Sequence, residues 1–233
     1  MAKRRAPAPP STRTRYGRAN PEKVYSPLWE MVARRNWSGY QLRQHLGLDA
    51  DSAIERGSAY RDSIPGPFWS WKRYGRTRTS LQDGRVIRVG GEHEDWYDSD
   101  FCIYNDVTVN SPGRGIAFYL YPKAVFPPTD FRTATLVGDE IILIGSLGYR
   151  DLRRVGETQV LKLDTRSLRI TPVATRGEPP GWISGHKAEL EGASIRITGG
   201  KVVTPTGGPR PNAAAYVLKL STMTWSSVGG GYG

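Results

Sequence analysis

The sequence predicts a mainly β chain in which a short helical segment precedes three copies of a four-stranded unit. Three observations lead to this prediction. Glycine (27) and proline (17) are abundant among the 233 residues, which indicates many turns and few long helices. Strand-like segments that end in glycine recur at nearly constant spacing, and helix-start patterns are confined to residues 23–62.

A basic tail is predicted at residues 1–22. Six of the chain's 33 Lys and Arg residues lie within residues 1–20, which contain no acidic residue, so this segment supplies much of the net charge of +11. Its other residues are mainly Ala, Pro, Ser and Thr, a composition that cannot bury enough apolar surface to order itself. We expect a disordered tail that is simply solvated, contacts phosphate groups or serves as a targeting peptide.

The helical segment follows at residues 23–62. Ser26 before Pro27 fits an N-cap followed by proline at the first helical position, where its missing N–H costs nothing. Ser38 and Gln41 fit a capping box, in which each side chain accepts a hydrogen bond from the other residue's backbone N–H. These local patterns predict two separate helix starts.

A third short helix over residues 50–56, after a stop at Gly47, would complete an order typical of helix–turn–helix proteins. This third helix begins with acidic residues and offers few groups that suit base edges. Nucleic-acid binding through the basic tail and these helices is therefore an alternative function rather than the leading one. Two prolines and a glycine within residues 63–69 end the helical part.

Internal repetition is the main evidence for the β part of the chain, residues 63–228. The segments RVIRVGG, IILIGS and SIRITGG end in glycines whose first members lie 55 and 54 residues apart. These structural glycines are Gly90, Gly91, Gly145, Gly199 and Gly200. Each copy continues with a long loop and a second pair of strands, so one unit has the size of a four-stranded propeller blade. The units span residues 76–125, 131–175 and 183–228, and residues 229–233 form a flexible tail.

Several features of these units resemble the kelch-repeat β-propeller family. They are the diglycine after the second strand, the segments NDV and LDTRSL, the linker-like GEPPGWISGHKAEL and Trp225 in the last strand. Ser146 replaces the second glycine of the middle copy, and the last-strand tryptophan is absent from the first two copies. Over residues 76–228, the resemblance implies propeller blades, a structural role for the glycines and Trp225, and protein recognition through the loops.

Three blades leave the closure of the fold open. Propellers usually close with at least four blades, and an open stack would expose two apolar sheet faces. A homodimer would make a six-bladed ring, the helical segment with Phe68, Trp69 and Trp71 would cover an exposed face, or the arrangement is incomplete and non-annular. Homodimerisation and capping are favoured, and the sequence does not separate them.

The densest cluster of candidate metal ligands lies in the loop after Gly91. Carboxylates together with backbone carbonyls suit Ca²⁺, but the spacing differs from that of an EF-hand loop. A transition metal would want more nitrogen or sulfur ligands. We therefore expect no cofactor, and keep a Ca²⁺ or transition-metal site, with a metal-dependent enzyme built on it, as an alternative. The candidate ligands are Glu92, His93, Asp95, Asp98 and Asp100.

The leading functional prediction is non-catalytic binding of a protein partner through the loops between strands. Aromatic and arginine side chains dominate interface energies, and each of the three long loops carries such residues. The candidate contacts are Trp96, Tyr97, Tyr149, Arg150, Arg153, Arg154 and Arg210. No catalytic residue is assigned.

Composition also bounds the compartment. Cys102 is the single cysteine, which excludes an internal disulfide. The sequence has no apolar run of about 18 residues and no signal-peptide core. We therefore expect a cytoplasmic protein with no membrane partner.

Overall fold

The computed structural model describes residues 13–47, 67–93, 101–206 and 208–228. Over these residues the chain is mainly β, with two α-helices and several antiparallel sheets. The predicted third helix at 50–56 and the tail at 229–233 lie outside the described residues. Within the described part, neither helix is long and apolar enough to cross a membrane.

The two helices begin where their local sequence predicts. Helix α1 (Pro27–Arg34) follows Ser26, whose hydroxyl accepts a hydrogen bond from the Trp29 N–H at 3.2 Å. Helix α2 (Gly39–His45) follows Ser38, and both hydrogen bonds of the capping box with Gln41 are present. The predicted N-cap and capping box are confirmed.

Strands occupy most of the remaining described chain. They are β1 (Glu22–Val24), β2 (Thr77–Ser80), β3 (Val86–Val89), β4 (Glu92–His93), β5 (Cys102–Ile103), β6 (Asp106–Ser111), β7 (Gly115–Leu120), β8 (Thr133–Val137), β9 (Glu140–Ile144), β10 (Val160–Asp164), β11 (Ile170–Pro172), β12 (Arg176–Gly177), β13 (Ile183–Ser184), β14 (Lys187–Glu191), β15 (Ser194–Thr198), β16 (Lys201–Val203), β17 (Pro209–Pro211), β18 (Ala215–Lys219) and β19 (Thr224–Val228). A single 3-10 turn lies at Arg150–Leu152 in the described part.

Three larger sheets follow one another along the chain. Sheet 1 has the order β1-β7-β6-β3-β2, sheet 2 has β11-β10-β9-β8, and sheet 3 has β12-β19-β18-β15-β14. Neighbouring strands are antiparallel except β12 and β19, which are parallel. Two small sheets are formed by connecting segments. Along the chain, β4 and β5 come between β3 and β6 of sheet 1. In the other small sheet, β13 precedes β14, and β16 and β17 come between β15 and β18 of sheet 3. The edge strands β2 and β14 both contact the edge strand β8, so the three sheets meet along one edge.

Apolar side chains fill the spaces between successive sheets. Ile87 and Val107 of sheet 1 pack with Leu143 of sheet 2 in one buried cluster. On the opposite face of sheet 2, Ile142 packs in a second cluster with Trp225 of sheet 3. This division follows from the two-residue period of a strand, which sends successive side chains to opposite faces. Sheet 2 is therefore apolar on both faces because it lies between the other two.

The outer face of sheet 1 is covered by the N-terminal segment. Trp29 of α1 stacks on Trp69 with ring centroids 4.9 Å apart, and both meet Phe118 of β7 edge-on. Val32 and Leu42 of the helices belong to the same buried cluster. Of the solutions that the sequence left open, capping by the helical segment is the one observed for this face.

The outer face of sheet 3 carries several charged residues among those described. The register of β14, β15 and β18 places Glu189, Arg196 and Val217 on the face opposite to Ile195 and Leu218, which pack towards sheet 2. Glu189 is exposed and Arg196 half-buried. Charged side chains cost little in water, so these positions are compatible with an exposed face. The homodimeric ring remains a prediction.

Part of the expected tail is ordered, which corrects the boundary at residue 22. The backbone of residues 22–24 forms β1 on the edge of β7, and the Gly17 N–H donates to the Tyr121 carbonyl at 2.8 Å. The Asn20 side chain also exchanges two hydrogen bonds with the backbone of Ile170. Composition missed this because the attachment uses backbone hydrogen bonds to an open strand edge rather than buried apolar side chains. Residues 1–12 lie outside the described residues.

Two loops also differ from the expected repeat. The third strand of the first unit begins at Asp106, and the Asn105 side chain just before it donates to the carbonyls of Tyr121 and Phe126. Residues 102–103 pair instead with 92–93. The third loop contains the β16–β17 hairpin.

Candidate functional site

Three loops leave the sheets at one end, which we call the loop end; their described residues are 91–93 and 101–105, 145–159, and 199–206 with 208–214. The second strand of each sheet stops there. At Gly145, φ is +76° and an added Cβ would strike the carbonyl oxygen of Ile183. Gly90 likewise has a positive φ and abuts the carbonyl of Thr129. Only glycine fits such sites, so these residues are structural. Gly91, Gly199 and Gly200 also have positive φ.

The acidic first loop is only partly described. Glu92 and His93 form β4 and pair with β5, and His93 is buried. The other predicted ligands, Asp95, Asp98 and Asp100, lie outside the described residues, as do the predicted contacts Trp96 and Tyr97. In the part of the chain that the structure describes, no group of three or more His, Cys, Asp or Glu side chains could hold a metal ion. The metal site remains a prediction for the undescribed segment.

Tyr149 joins the second loop to the first. Its hydroxyl accepts a hydrogen bond from the Ile103 N–H at 2.8 Å, and its ring meets Phe101 edge-on at 5.9 Å. Burial raises the pKa of Tyr149 above its usual value. These contacts give the half-buried tyrosine a role in holding the loops together.

The three arginines of the second loop differ in their surroundings. Arg153 folds back on its own loop, where its guanidinium donates to the carbonyls of Leu147 and Gly148 at 2.9 and 3.0 Å. Arg150 and Arg154 are exposed, and Arg154 makes a surface ion pair of 3.6 Å with Glu157. Arg150 and Arg154 are therefore more exposed to a partner than Arg153.

The third loop lies against the second. Trp182, just before β13, donates from its indole N–H to the Leu147 carbonyl at 3.0 Å. The Trp182 carbonyl accepts from the N–H of Val203 in β16 at 3.0 Å. Arg210, in β17 of the same small sheet, is exposed. Contacts therefore run from the first loop through Tyr149 to the second and through Trp182 to the third.

Sequence reasoning missed a basic pocket of about 610 Å³ beside the loop end. It lies between the α1–α2 connection and the start of sheet 1. None of the described residues that line it is acidic. Its cationic residues are Lys72, Arg73, Arg76, Arg78 and Arg88, and its other lining residues are Asn36, Ser38, Trp71, Tyr74, Thr77 and His93.

A buried ion pair lies behind the basic pocket. The Arg73 guanidinium makes two hydrogen bonds to the Asp106 carboxylate, one of them 2.8 Å long, and the Trp69 indole N–H donates a third at 2.9 Å. Neither charged side chain is more than 3% exposed. Arg73 also lies over the Tyr104 ring at 3.4 Å and holds the pKa of Asp106 below its usual value against the effect of burial. Arg73 is therefore committed to the fold.

Arg78 and Arg88 line the pocket from sheet 1, and Arg76 lines it from just before β2. Arg78 and Arg88 are direct partners across β2 and β3, and the same cross-sheet row continues through Thr108 to Phe118. The helices cover the Phe118 end of this row. Arg76 donates to the Thr108 hydroxyl at 2.6 Å. Burial and the neighbouring Arg73 lower the pKa of Arg76 well below its usual value.

A pattern in the sequence could have identified this pocket. Residues 69–78, WSWKRYGRTR, interleave tryptophans with four basic residues and contain no acid. Interleaved aromatic and basic residues of this kind are typical of anion-binding surfaces. The partner strand residue Arg88 could not be identified in this way because its position depends on the strand register.

Comparisons with known proteins add one similarity. No family model matches the chain. Over 135 residues, or 58% of the chain, the sequence is 26% identical to Kelch domain-containing protein 3 of Bos taurus. The matched part covers 34% of that protein's length, so the chain spans far less than the whole relative. The distant similarity and the mainly β fold fit a kelch-like protein.

Proposed function

We propose that the chain is a kelch-like, β-propeller-type interaction module that binds a protein partner through its loop end. In this proposal the three sheets are three blades of an open arrangement that is capped by the N-terminal helices rather than closed as a ring. The matched order of strands in the three sheets and the meeting of β2, β8 and β14 along one edge support it. The distant kelch similarity gives further support.

The observation that carries the proposal is the contact of three loops at one end of the sheets. Tyr149 and Trp182 tie these loops together through hydrogen bonds to neighbouring backbone, so the surface is organised before a partner arrives. A preorganised surface loses less conformational entropy on binding. Arg150, Arg154 and Arg210 are exposed on it, and arginine is enriched among residues that dominate binding energies. Trp96 and Tyr97 are proposed as additional contacts.

The test compares loop-end variants with a matched pair at the opposite end of the sheets. Arg154→Glu with Arg210→Glu reverses two exposed charges at the loop end. Arg114→Glu with Arg166→Glu does the same in the β6–β7 and β10–β11 turns. Immobilised proteins are exposed to an extract of the source organism, and bound proteins are quantified by mass spectrometry.

We expect a specific set of proteins to bind the wild type and the opposite-end control, and to decrease about tenfold or more with the loop-end variant, as for loss of about 1.4 kcal/mol or more of binding energy. Thermal unfolding of all variants checks that the fold is intact. A parallel variant, Trp96→Ala with Tyr97→Ala, tests the first loop. Equal capture by the loop-end and opposite-end variants would contradict the proposal.

A further inference from the structure

The basic pocket gathers cations where a sheet normally avoids them. Arg78 and Arg88 lie directly opposite on neighbouring strands, and like charges in such a pair destabilise a sheet. No acidic side chain is among the described residues that line the pocket. Burial and the charge of Arg78 lower the pKa of Arg88. The free chain therefore maintains an unfavourable concentration of positive charge.

Two cations of the second unit have nearby carboxylates. Lys162 of β10 lies 2.9 Å from the carboxylate of Glu140 in β9. Arg166 lies 2.7 Å from the carboxylate of Asp139. These two cations are paired within the chain, whereas Arg78 and Arg88 face each other beside a cavity. A bound anion would supply the counter-charge that the described lining residues lack.

Two of the donors in the basic pocket, Arg76 and Arg88, are held in place before binding. Trp71 supports two guanidinium groups, with Arg76 at 4.3 Å and Arg88 at 5.2 Å from its ring centroid. Arg76 also donates to the Trp71 carbonyl at 3.2 Å and to the Thr108 hydroxyl. Its Nε–H is buried, and no described residue accepts a hydrogen bond from it. Fixed donors cost little reorganisation when an anion enters.

We propose that the basic pocket binds a phosphate monoester, presented on a phosphorylated side chain of the protein partner. The partner part of this statement rests on the proposed function. Guanidinium groups match phosphate through paired N–H donors, and a phosphate monoester brings up to two negative charges and three acceptor oxygens. The cations converge on one cavity of about 610 Å³ beside the loop end. A nucleic-acid strand instead needs positive charge along an extended track.

The first experiment measures phosphate binding by calorimetry on the full chain, without a partner. The probes are inorganic phosphate, N-acetyl-phosphoserine amide and its unphosphorylated form. We expect saturable binding of the two phosphate compounds, weakened at least tenfold by Arg78→Gln or Arg88→Gln and unchanged by the control Arg166→Gln. Absence of saturable binding, or equal affinity in the pocket variants and the control, overturns the proposal.

Two further probes distinguish other occupants. A twelve-residue oligothymidylate that binds more tightly than phosphoserine amide, with a steep loss on adding salt, would overturn the protein-borne phosphate in favour of nucleic acid. Phosphate binding that appears only after Asp95, Asp98 and Asp100 are all replaced by Asn would show that the chain's own acidic segment fills the pocket, and would also overturn it.

A charge reversal separates loss of binding from loss of folding. Arg78→Glu places a carboxylate opposite Arg88, so we expect a higher melting temperature together with loss of phosphate binding. Retained phosphate binding in this folded variant would count against the pocket. The outcome is independent of the proposed function, because the loop-end variants of Arg154 and Arg210 test partner capture with the basic pocket intact.

Discussion

Replacing Asp106 by Asn tests whether the buried ion pair holds the helical cap on sheet 1. Asp106 begins β6, while its partners Trp69 and Arg73 precede β2, so the carboxylate joins the segment between the helices and the sheets to the sheet itself. Asn keeps the size of the side chain and an acceptor oxygen, and it removes only the charge and part of the hydrogen bonding. The variant therefore isolates the electrostatic contribution.

The expected loss of stability is large because the pair is buried. The Asp106 side chain is 3% exposed and that of Arg73 is fully buried, so the substitution leaves a guanidinium without a counter-charge in a region of low polarity. Breaking a buried pair in this way costs about 3–5 kcal/mol. Because domains of ordinary size are stable by about 5–15 kcal/mol, the change removes a substantial fraction of the total.

Urea unfolding followed by tryptophan fluorescence and far-UV circular dichroism measures the effect. With a slope of about 2 kcal/mol per molar urea, we expect the midpoint to fall by about 1.5–2.5 M. Asp139→Asn is the matched control, because the Asp139–Arg166 pair is exposed and should contribute below about 1 kcal/mol. A midpoint for Asp106→Asn as close to wild type as that of the control would refute the reasoning.

A second variant covers the case in which Asp106→Asn does not fold. Arg73→Met combined with Asp106→Leu removes both charges, and apolar replacements of a buried pair are often tolerated. We expect this double variant to recover most of the lost stability. A double variant as unstable as the single one would assign the effect to lost packing or to the hydrogen bond from Trp69 rather than to the unpaired charge.

Two further predictions concern the repeat glycines and a buried histidine. Gly145→Ala should lower the free energy of unfolding at least twice as much as Gly199→Ala. Both glycines have a positive φ, which costs alanine about 1 kcal/mol, but only Gly145 lies against neighbouring backbone. Equal decreases of the urea midpoint in the two variants would contradict this. Burial lowers the pKa of His186 to about 4, so the unfolded state binds more protons between that value and about 6.5. The free energy of unfolding should therefore fall by up to about 3 kcal/mol as pH falls through this window. In His186→Gln, the dependence of unfolding free energy on pH should be flatter over the same window. Parallel pH dependences in the variant and the wild type would show that His186 is not responsible.

Local chemistry explains which parts of the fold were predictable. Ser38 and Gln41 cap a helix through hydrogen bonds that span three residues, so the motif is legible without any tertiary information. Gly145 marks a strand end in the repeat because its backbone requires a conformation that other residues avoid. The continuous run of Ile and Leu in β9 is likewise typical of a strand with both faces buried.

The candidate site was less predictable because its members come from distant positions. Tyr149 and Arg153 were predicted as partner contacts from residue type. In the structure, Tyr149 hydrogen-bonds to Ile103 and Arg153 to carbonyls of its own loop, so both help to organise the surface. The five-residue spacing of Arg73 and Arg78 was visible in the sequence. That Arg78 belongs to a cationic pocket could not be predicted, because only the strand register brings Arg88 opposite it.

The sequence by itself determined the helix starts, the repeated strand and glycine pattern, and the mainly β character. These features depend on backbone preferences and on neighbours within a few residues. Tertiary structure decided that β1 pairs with β7, that the helices cover sheet 1, and that arginines from β2 and β3 share a pocket with Trp71. Such outcomes depend on which strand edge and which sheet face remain uncovered once the sheets have formed. They also depend on which distant segment of the chain then packs there.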